Sequence, residues 1–206
     1  MILNEKQNDA LTELINIAFA RAAASLSELT GDRVLLDVPS VDIHAIEELS
    51  IVLSRFVPGE VAIVHQNFTG PVAGDALLLL NYEGALKLVD LLTDELQNSP
   101  RLEASGREVL TEVGNILLNA CLGMFGNLLH VSVNFSVPYL HLETLEELIN
   151  SLLRSREELR YAIVVFTSFH LRSSEVNGYL VIVLGVASMD RLIQELEIWE
   201  QGQGQK

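Results

Sequence analysis

A single cysteine, Cys121, stands among 206 residues, so no internal disulfide framework and no cysteine-based metal cage exists in this chain. That usage fits a reducing cytoplasm. Cations are scarce as well: 13 Lys and Arg against 28 Asp and Glu leave a formal charge of −15. Nucleic acid and the inner membrane leaflet are themselves anionic and repel such a surface, so neither is an expected partner, whereas a protein with a basic face is. The longest apolar runs, such as "YLVIVLGVASM", are too short to span a bilayer, and the start "MILNEKQNDALTEL" has no basic segment followed by an apolar stretch. We therefore expect a soluble, unexported, cytoplasmic protein with no membrane insertion. Enzyme machinery is missing too. The five histidines, at 44, 65, 130, 141 and 170, show no metal-ligand spacing, no nucleophile elbow is present, and "GDALLLL" is not a phosphate loop. The chain is expected to bind no metal or cofactor of its own.

Apolar content of 49% supports a packed core, and an internal repeat organises it. Shifting the chain by 99 residues places Asp9 on Glu108, Thr12 on Thr111, Glu13 on Glu112, Asn16 on Asn115, Leu29 on Leu128 and Pro39 on Pro138. The match continues through Glu47, Glu48 and Leu49 onto Glu146, Glu147 and Leu148, and Arg55 onto Arg154. Five further residues then enter the second half, after which an offset of 104 pairs Gly74 with Gly178, Leu80 with Leu184 and Leu88 with Leu192. Two copies are too few for a solenoid and predict one pseudo-twofold domain, 1–206, of repeats near 1–99 and 100–199, with a flexible tail at 200–206.

Each copy reads as α-β-α-β-β-α. Apolar residues at 11, 14, 18, 22, 26 and 29, and at 110, 113, 117, 121, 124 and 128, predict long helices over 5–30 and 106–129. "RVLLDVPSVDI" and "HVSVNFSVPYL" follow as strands whose prolines suggest an edge or a strand end. Short helices fit "AIEELSIVLSR" and "TLEELINSLLR". Hairpins pair "GEVAIVHQNF" with "GDALLLLN" and "RYAIVVFTSFHL" with "GYLVIVLG", and last helices cover 82–96 and 186–199. The segment "TDELQNSPRLEASG" joins the copies.

Positions 9, 13 and 16 fall at i, i+4 and i+7, as do 108, 112 and 115, so each triplet forms one helical stripe away from the buried one. Glu and Lys fill ordinary helix surfaces, but Asn is a poor mid-helix residue, and two copies in register ask for a reason beyond local stability. Alternatives stand beside the functional reading. Ser105 followed by Glu108 has the form of a capping box, and Asp9 complements a helix dipole whatever else it does. Paired asparagines also serve as buried, hydrogen-bonded contacts at a helix pair. The functional reading rests on chemistry: an amide donates and accepts hydrogen bonds at once, which is what orienting a water requires. Phosphoryl transfer through a loose transition state needs positioning more than a strong base, so Asn suffices when a partner supplies phosphate and metal. Glu repels that phosphate and suits a lysine or arginine of the partner.

The pattern of an acidic or Ser residue, three others, Glu, two others, Asn, and a proline a little over twenty residues on resembles the CheC family of chemotaxis phosphatases (CheC, CheX, FliY). It is carried by Asp9, Glu13, Asn16 and Pro39 and by Glu108, Glu112, Asn115 and Pro138, with "EVGNILLNACL" and "TGPVAGDALLLLNYEGALKLVDLL". The resemblance covers nearly the whole chain. It implies an α/β pseudo-twofold domain with both motif helices on one side of a largely antiparallel sheet. It also implies hydrolysis of the aspartyl phosphate of a CheY-like response regulator, Asn16 and Asn115 orienting water, Glu13 and Glu112 gripping a regulator lysine, and Asp9 and Glu108 supporting them. Magnesium then belongs to the regulator. A CheD-like deamidase is a further implied partner, through the short helix near 143–154. Related flagellar-switch proteins imply the alternative, a docking module without catalysis. The first copy departs from the pattern: Ile15 replaces the Gly before Asn, and Ala18, Phe19, Ala20 and Arg21 replace a small-residue run, bulk expected to obstruct docking. Gly114 keeps the family form, which favours Asn115 over Asn16. Asn119 faces Ala20 in the alignment and is either an auxiliary contact or a surface amide.

Overall fold

The computed structural model describes residues 3–54, 59–93, 101–128, 130–155, 159–171 and 173–203. The first repeat runs α1 (Glu5–Thr30), β1 (Leu35–Ala45), a 3-10 turn (Ile46–Glu48) into α2 (Leu49–Ser54), β2 (Glu60–Thr69), β3 (Gly74–Asn81) and α3 (Tyr82–Thr93). The second runs α4 (Ala104–Leu128), β4 (Asn134–Phe135), β5 (Tyr139–Thr144), α5 (Leu145–Ser155), β6 (Leu159–Leu171), β7 (Ser174–Gly185) and α6 (Val186–Gln203). Arg55, residues 94–100 of the joining segment and residues 204–206 lie outside the described residues. Helix α6 extends through Gln203, so residues 200–203 are helical where a tail was expected.

Seven strands form one antiparallel sheet in the order β1-β6-β7-β3-β2-β4, with β5 also on β2. The repeats exchange strands: β1 of the first pairs with β6 of the second, and β5 of the second with β2 of the first. At the centre β3 meets β7, and Leu77 pairs with Val181, its own equivalent at an offset of 104. The pseudo-twofold axis therefore passes through that pair. Ile63 pairs with Leu79 and Ala162 with Val183, so β6 stays 99 residues from β2 while β7 lies 104 from β3. The five extra residues thus sit in the β6–β7 hairpin and lengthen its arms.

Both edges carry the expected prolines. Pro39 falls at the register shift between Asp37 and Ser40 in β1, and Pro138 directly precedes β5, because a residue without an N–H cannot sit inside a ladder. The strand expected over 130–140 is accordingly broken, with only Asn134 and Phe135 paired before β5 begins.

Two cores flank the sheet. On one face α1, α3, α4 and α6 bury Leu11, Ile15, Phe19, Leu117 and Leu192 against Val64, Leu78, Ile163 and Leu180. On the other, the turn before α2, α2 itself and α5 bury Ile46, Leu49, Leu148 and Leu152 against Ile63, Leu77, Val164 and Val181. Covered on both sides, β3 and β7 read as continuous apolar runs. Helix α4 is, by length and composition, the one described helix apolar enough to cross a membrane, contrary to the expectation that no run is long enough. More than half of that stretch is buried within the domain, which accounts for its apolar character. Leu29, counted in the apolar stripe of α1, is exposed.

Candidate functional site

Helix α1 starts where a reciprocal cap places it: Asn4 Oδ1 accepts from the Gln7 backbone N–H at 2.8 Å, and Gln7 Oε1 accepts from the Asn4 N–H at 2.9 Å. Gln7 Nε2 also donates to Glu197 Oε1 of α6 at 2.6 Å, tying the helix start to its neighbour. Asp9 then lies in the second turn, beyond the free amides. Helix α4 begins at Ala104, and the Arg107 N–H donates to the Glu103 carbonyl at 3.0 Å. Ser105 is therefore inside the first turn and not at the cap, so the capping-box reading of Glu108 does not hold.

Asp9, Glu13 and Asn16 are exposed on α1; Glu108 and Glu112 are exposed and Asn115 half-buried on α4. Neither asparagine is entombed at the contact between the two helices, which removes the structural alternative. Their surroundings differ. Asn119 Nδ2 donates to Asn115 Oδ1 at 2.7 Å, and Asn115 Nδ2 faces Glu112 Oε2 at 3.5 Å. Among the described residues, Asn16 has no side-chain hydrogen bond.

The feared bulk in the first copy points the other way. Ile15, Ala18 and Phe19 are buried in the core, so of that run only Ala20 and Arg21 reach the surface, with Ile17 exposed next to Asn16. Gly114, the equivalent of Ile15, also faces inward: a Cβ there would lie 2.4 Å from Val64 Cγ1 on β2. The glycine serves helix-to-sheet approach rather than access for a partner.

Further along that strand face, Gln66 is buried at 1% exposure, and its Nε2 donates to Asn119 Oδ1 at 3.2 Å and to the Ser136 carbonyl at 2.9 Å. The sequence reading missed Gln66. Its signal was an amide at the alternate position that follows Ala62 and Val64 on one side of "EVAIVHQNF".

The opposite sheet face holds a second polar group that the sequence reading also missed. His65 Nε2 lies 2.8 Å from Asp75 Oδ1 and Nδ1 lies 2.7 Å from the Tyr139 hydroxyl, while Asn67 Nδ2 also donates to Asp75. His141 stacks on His65 with ring centroids 5.9 Å apart. Burial, then the neighbouring His65, lowers the His141 pKa; burial, then Glu147, raises that of Glu143, against a smaller opposite effect of His65. Among the described residues no group of three His, Cys, Asp or Glu side chains is placed to hold a metal ion.

No family model matches the chain. FliY of Thermotoga maritima is 20% identical, with a TM-score of 0.74 over 96% of this chain and 98% of its own. The fold is that of FliY. The FliY-like architecture recurs in a chain of the FliG–FliM complex of H. pylori, at 11% identity and TM-score 0.64 over 93% of this chain and 100% of that one. It recurs too in the chemotaxis protein CheX of Vibrio vulnificus, at 12% identity and TM-score 0.52 over 82% and 97%. The fold implied by the motif resemblance is thus the fold observed. FliY-like architecture alone is shared by these differently named proteins, so the side chains on α1 and α4 have to carry the functional argument.

Proposed function

We propose that this protein is a hydrolase that removes the aspartyl phosphate of a CheY-like response regulator in chemotaxis signalling. The observation that carries the reading is the state of Asn115. Its side chain offers two donor hydrogens and two acceptor lone pairs. One acceptor site is taken by Asn119 and one hydrogen faces Glu112. One donor and one acceptor remain, the pair needed to orient a water for in-line attack. The regulator supplies the phosphate and its magnesium, and the transition state is stabilised largely by positioning. Glu112, exposed one turn before Asn115, engages a regulator lysine and sets the register of docking, with Glu108 extending the acidic stripe. Asp9, Glu13 and Asn16 form the equivalent stripe of the first copy, where the asparagine lacks the hydrogen bond that Asn119 gives Asn115.

The test is decay of a phosphorylated CheY-like regulator with wild type, Asn16→Ala, Asn115→Ala and the double variant. Wild type accelerates decay, and Asn115→Ala lowers the rate about a hundredfold, the scale for losing one oriented hydrogen-bonding group. Asn16→Ala costs less; equal losses would show two equivalent sites. Wild-type turnover insensitive to Asn115→Ala would remove the proposal.

A second reading, a regulator-binding or CheD-binding adaptor without catalysis, is favoured by one observation on the first copy. An open groove of about 350 Å³ is lined by Leu14, Ile17 and Arg21 of α1, Met124 of α4 and Trp199 of α6. For a CheD-like partner the relevant face is α5, whose solvent side shows Glu147, Asn150, Ser151 and Arg154. Tight regulator binding with unchanged phosphate decay selects this reading.

A further inference from the structure

Resting on the phosphatase reading above, we propose that Gln66 and Asn119 are positioning residues that run from the sheet to the surface and fix the orientation of the Asn115 amide. The chain has a single polarity. It begins at the Ser136 carbonyl, an acceptor, which takes one Gln66 Nε2 hydrogen at 2.9 Å. The other Nε2 hydrogen goes to Asn119 Oδ1 at 3.2 Å, Asn119 Nδ2 donates to Asn115 Oδ1 at 2.7 Å, and Asn115 Nδ2 faces the Glu112 carboxylate at 3.5 Å. Ionised carboxylates accept only, as backbone carbonyls do. With acceptors at both ends, turning any one amide over sets oxygen against oxygen, so each orientation enforces the next. The Asn115 oxygen is thereby held toward Asn119, and its remaining lone pair and hydrogen take a fixed direction. Donation into Asn115 Oδ1 also polarises its N–H groups, which strengthens them as donors to a water.

Two observations separate this arrangement from ordinary packing. Gln66 Oε1 is buried and has no hydrogen-bond partner among the described residues, a desolvation cost that an apolar side chain would avoid. At the symmetry-related places, on β6 and on α1, stand Val165 and Ala20, and Val165 fills the same core face without any polar group. The fold is therefore content with Val, and the amide at 66 serves the site. Gly114 makes the reach feasible: α4 lies close enough on Val64 that Gln66, two residues further along the strand, meets Asn119, five residues further along the helix. Asn16, followed by Ala20, has no equivalent support.

The test compares Asn119→Asp, Asn119→Ala and Gln66→Met with wild type and Asn115→Ala. Asn119→Asp keeps the acceptor for Gln66 but has no hydrogen for Asn115, and it stands on a half-buried helical face where folding tolerates it. Expected is a fall in kcat of about ten- to a hundredfold for each, with KM for the phosphorylated regulator within about twofold, because docking groups are untouched. Nitrogen-15 relaxation of the Asn115 side-chain NH2 gives a readout independent of turnover: its order parameter falls to the value of Asn16 in each variant. Wild-type kcat in Asn119→Asp and Asn119→Ala, or an Asn115 amide equally ordered without Asn119, overturns the proposal while leaving the phosphatase reading intact. Absence of turnover in wild type removes the phosphatase reading and this inference with it.

Discussion

Two glycines nine residues apart on α4 are expected to respond to alanine with opposite signs. At Gly114 an added Cβ would lie 2.4 Å from Val64 Cγ1, 2.6 Å from its Cβ and 3.0 Å from its Cγ2. Carbon atoms in contact prefer about 3.5–4.0 Å, so α4 must lift from β2 by roughly 1 Å. Overpacking of this kind costs about 1–3 kcal/mol, and alanine's better helix propensity offsets about 1 kcal/mol of it. At Gly123 nothing lies within 4 Å of the added atom, so only the favourable propensity remains. The difference between Gly114→Ala and Gly123→Ala cancels the propensity and isolates the clash, about 1–3 kcal/mol, or roughly 2–4 °C in Tm for each kcal/mol in a chain of this size. Urea midpoints and Tm measure it. Turnover separates them further: a 1 Å lift parts Gln66 from Asn119, now 3.2 Å apart, and lowers regulator dephosphorylation by up to about a hundredfold, while Gly123→Ala retains wild-type rates. Equal stabilisation by both substitutions, or an unchanged rate in Gly114→Ala, would refute the view that this glycine sets the height of the helix above the sheet.

The polar cluster on the other face makes stability depend on pH in two opposed ways. Folding holds the His141 pKa below 6.5, so its contribution is complete above that value and is lost as pH falls through the lowered one; an NMR titration should place its midpoint under 6.5. Folding raises the Glu143 pKa above 4.5, so its favourable contribution is present below that value and lost as pH rises through the raised one. Glu143→Gln should therefore raise the denaturation midpoint at pH 7 and have little effect at pH 4, and the reverse order would contradict the assignment. Cys121 is fully buried, and burial pushes its thiol pKa far up, so a disulfide reagent should leave the native protein untouched and react along the same denaturant curve as unfolding.

Much of the architecture was legible because local pattern and tertiary role agree. The bounds of α1, Glu5–Thr30, follow from apolar spacing and a glycine stop: Gly31 takes a left-handed φ of 73° and its N–H reaches the Ser27 carbonyl. Strand β3 coincides with "GDALLLLN". The 99-residue repeat carried the pseudo-twofold arrangement, since the order of elements in one copy reappears in the other. The strand over 130–140 was misjudged because its alternating residues suggest pairing, whereas Pro138 and the short contact with Phe68 and Thr69 limit it. Which repeat pairs with which is invisible in composition: β1 and β5 have equivalent patterns, and their exchange is settled only by the closing of the sheet. At the site, spacing found the stripe of Glu and Asn. It misjudged Ile15 and Phe19 as obstacles because periodicity in one helix does not say which neighbour a residue faces when the stripes are this close. Gln66 escaped notice for a related reason, being joined to its partner across 53 residues of sequence.

The same symmetry that makes the fold readable sharpens what is unequal about it. A duplicated domain with strands exchanged about the Leu77–Val181 pair gives both motif helices the same layer and leaves Glu13 and Glu112 equally exposed. Three positions then part company, all on one path from sheet to solvent: Gly114 against Ile15, Gln66 against Val165, and Asn119 against Ala20. In each case the half built from α1 and β6 has the residue that core packing or helix propensity favours, and the half built from α4 and β2 has the one that costs stability: a helical glycine, a buried amide with an unmet oxygen, and an asparagine in mid-helix. Three unrelated costs along one line do not follow from the fold, since the opposite half closes the same architecture without them. They are accounted for together if α4 alone holds its asparagine in a fixed direction, and Gln66→Val with Asn119→Ala, the residues of the symmetry-related half, should make the protein more stable and less able to aim a water.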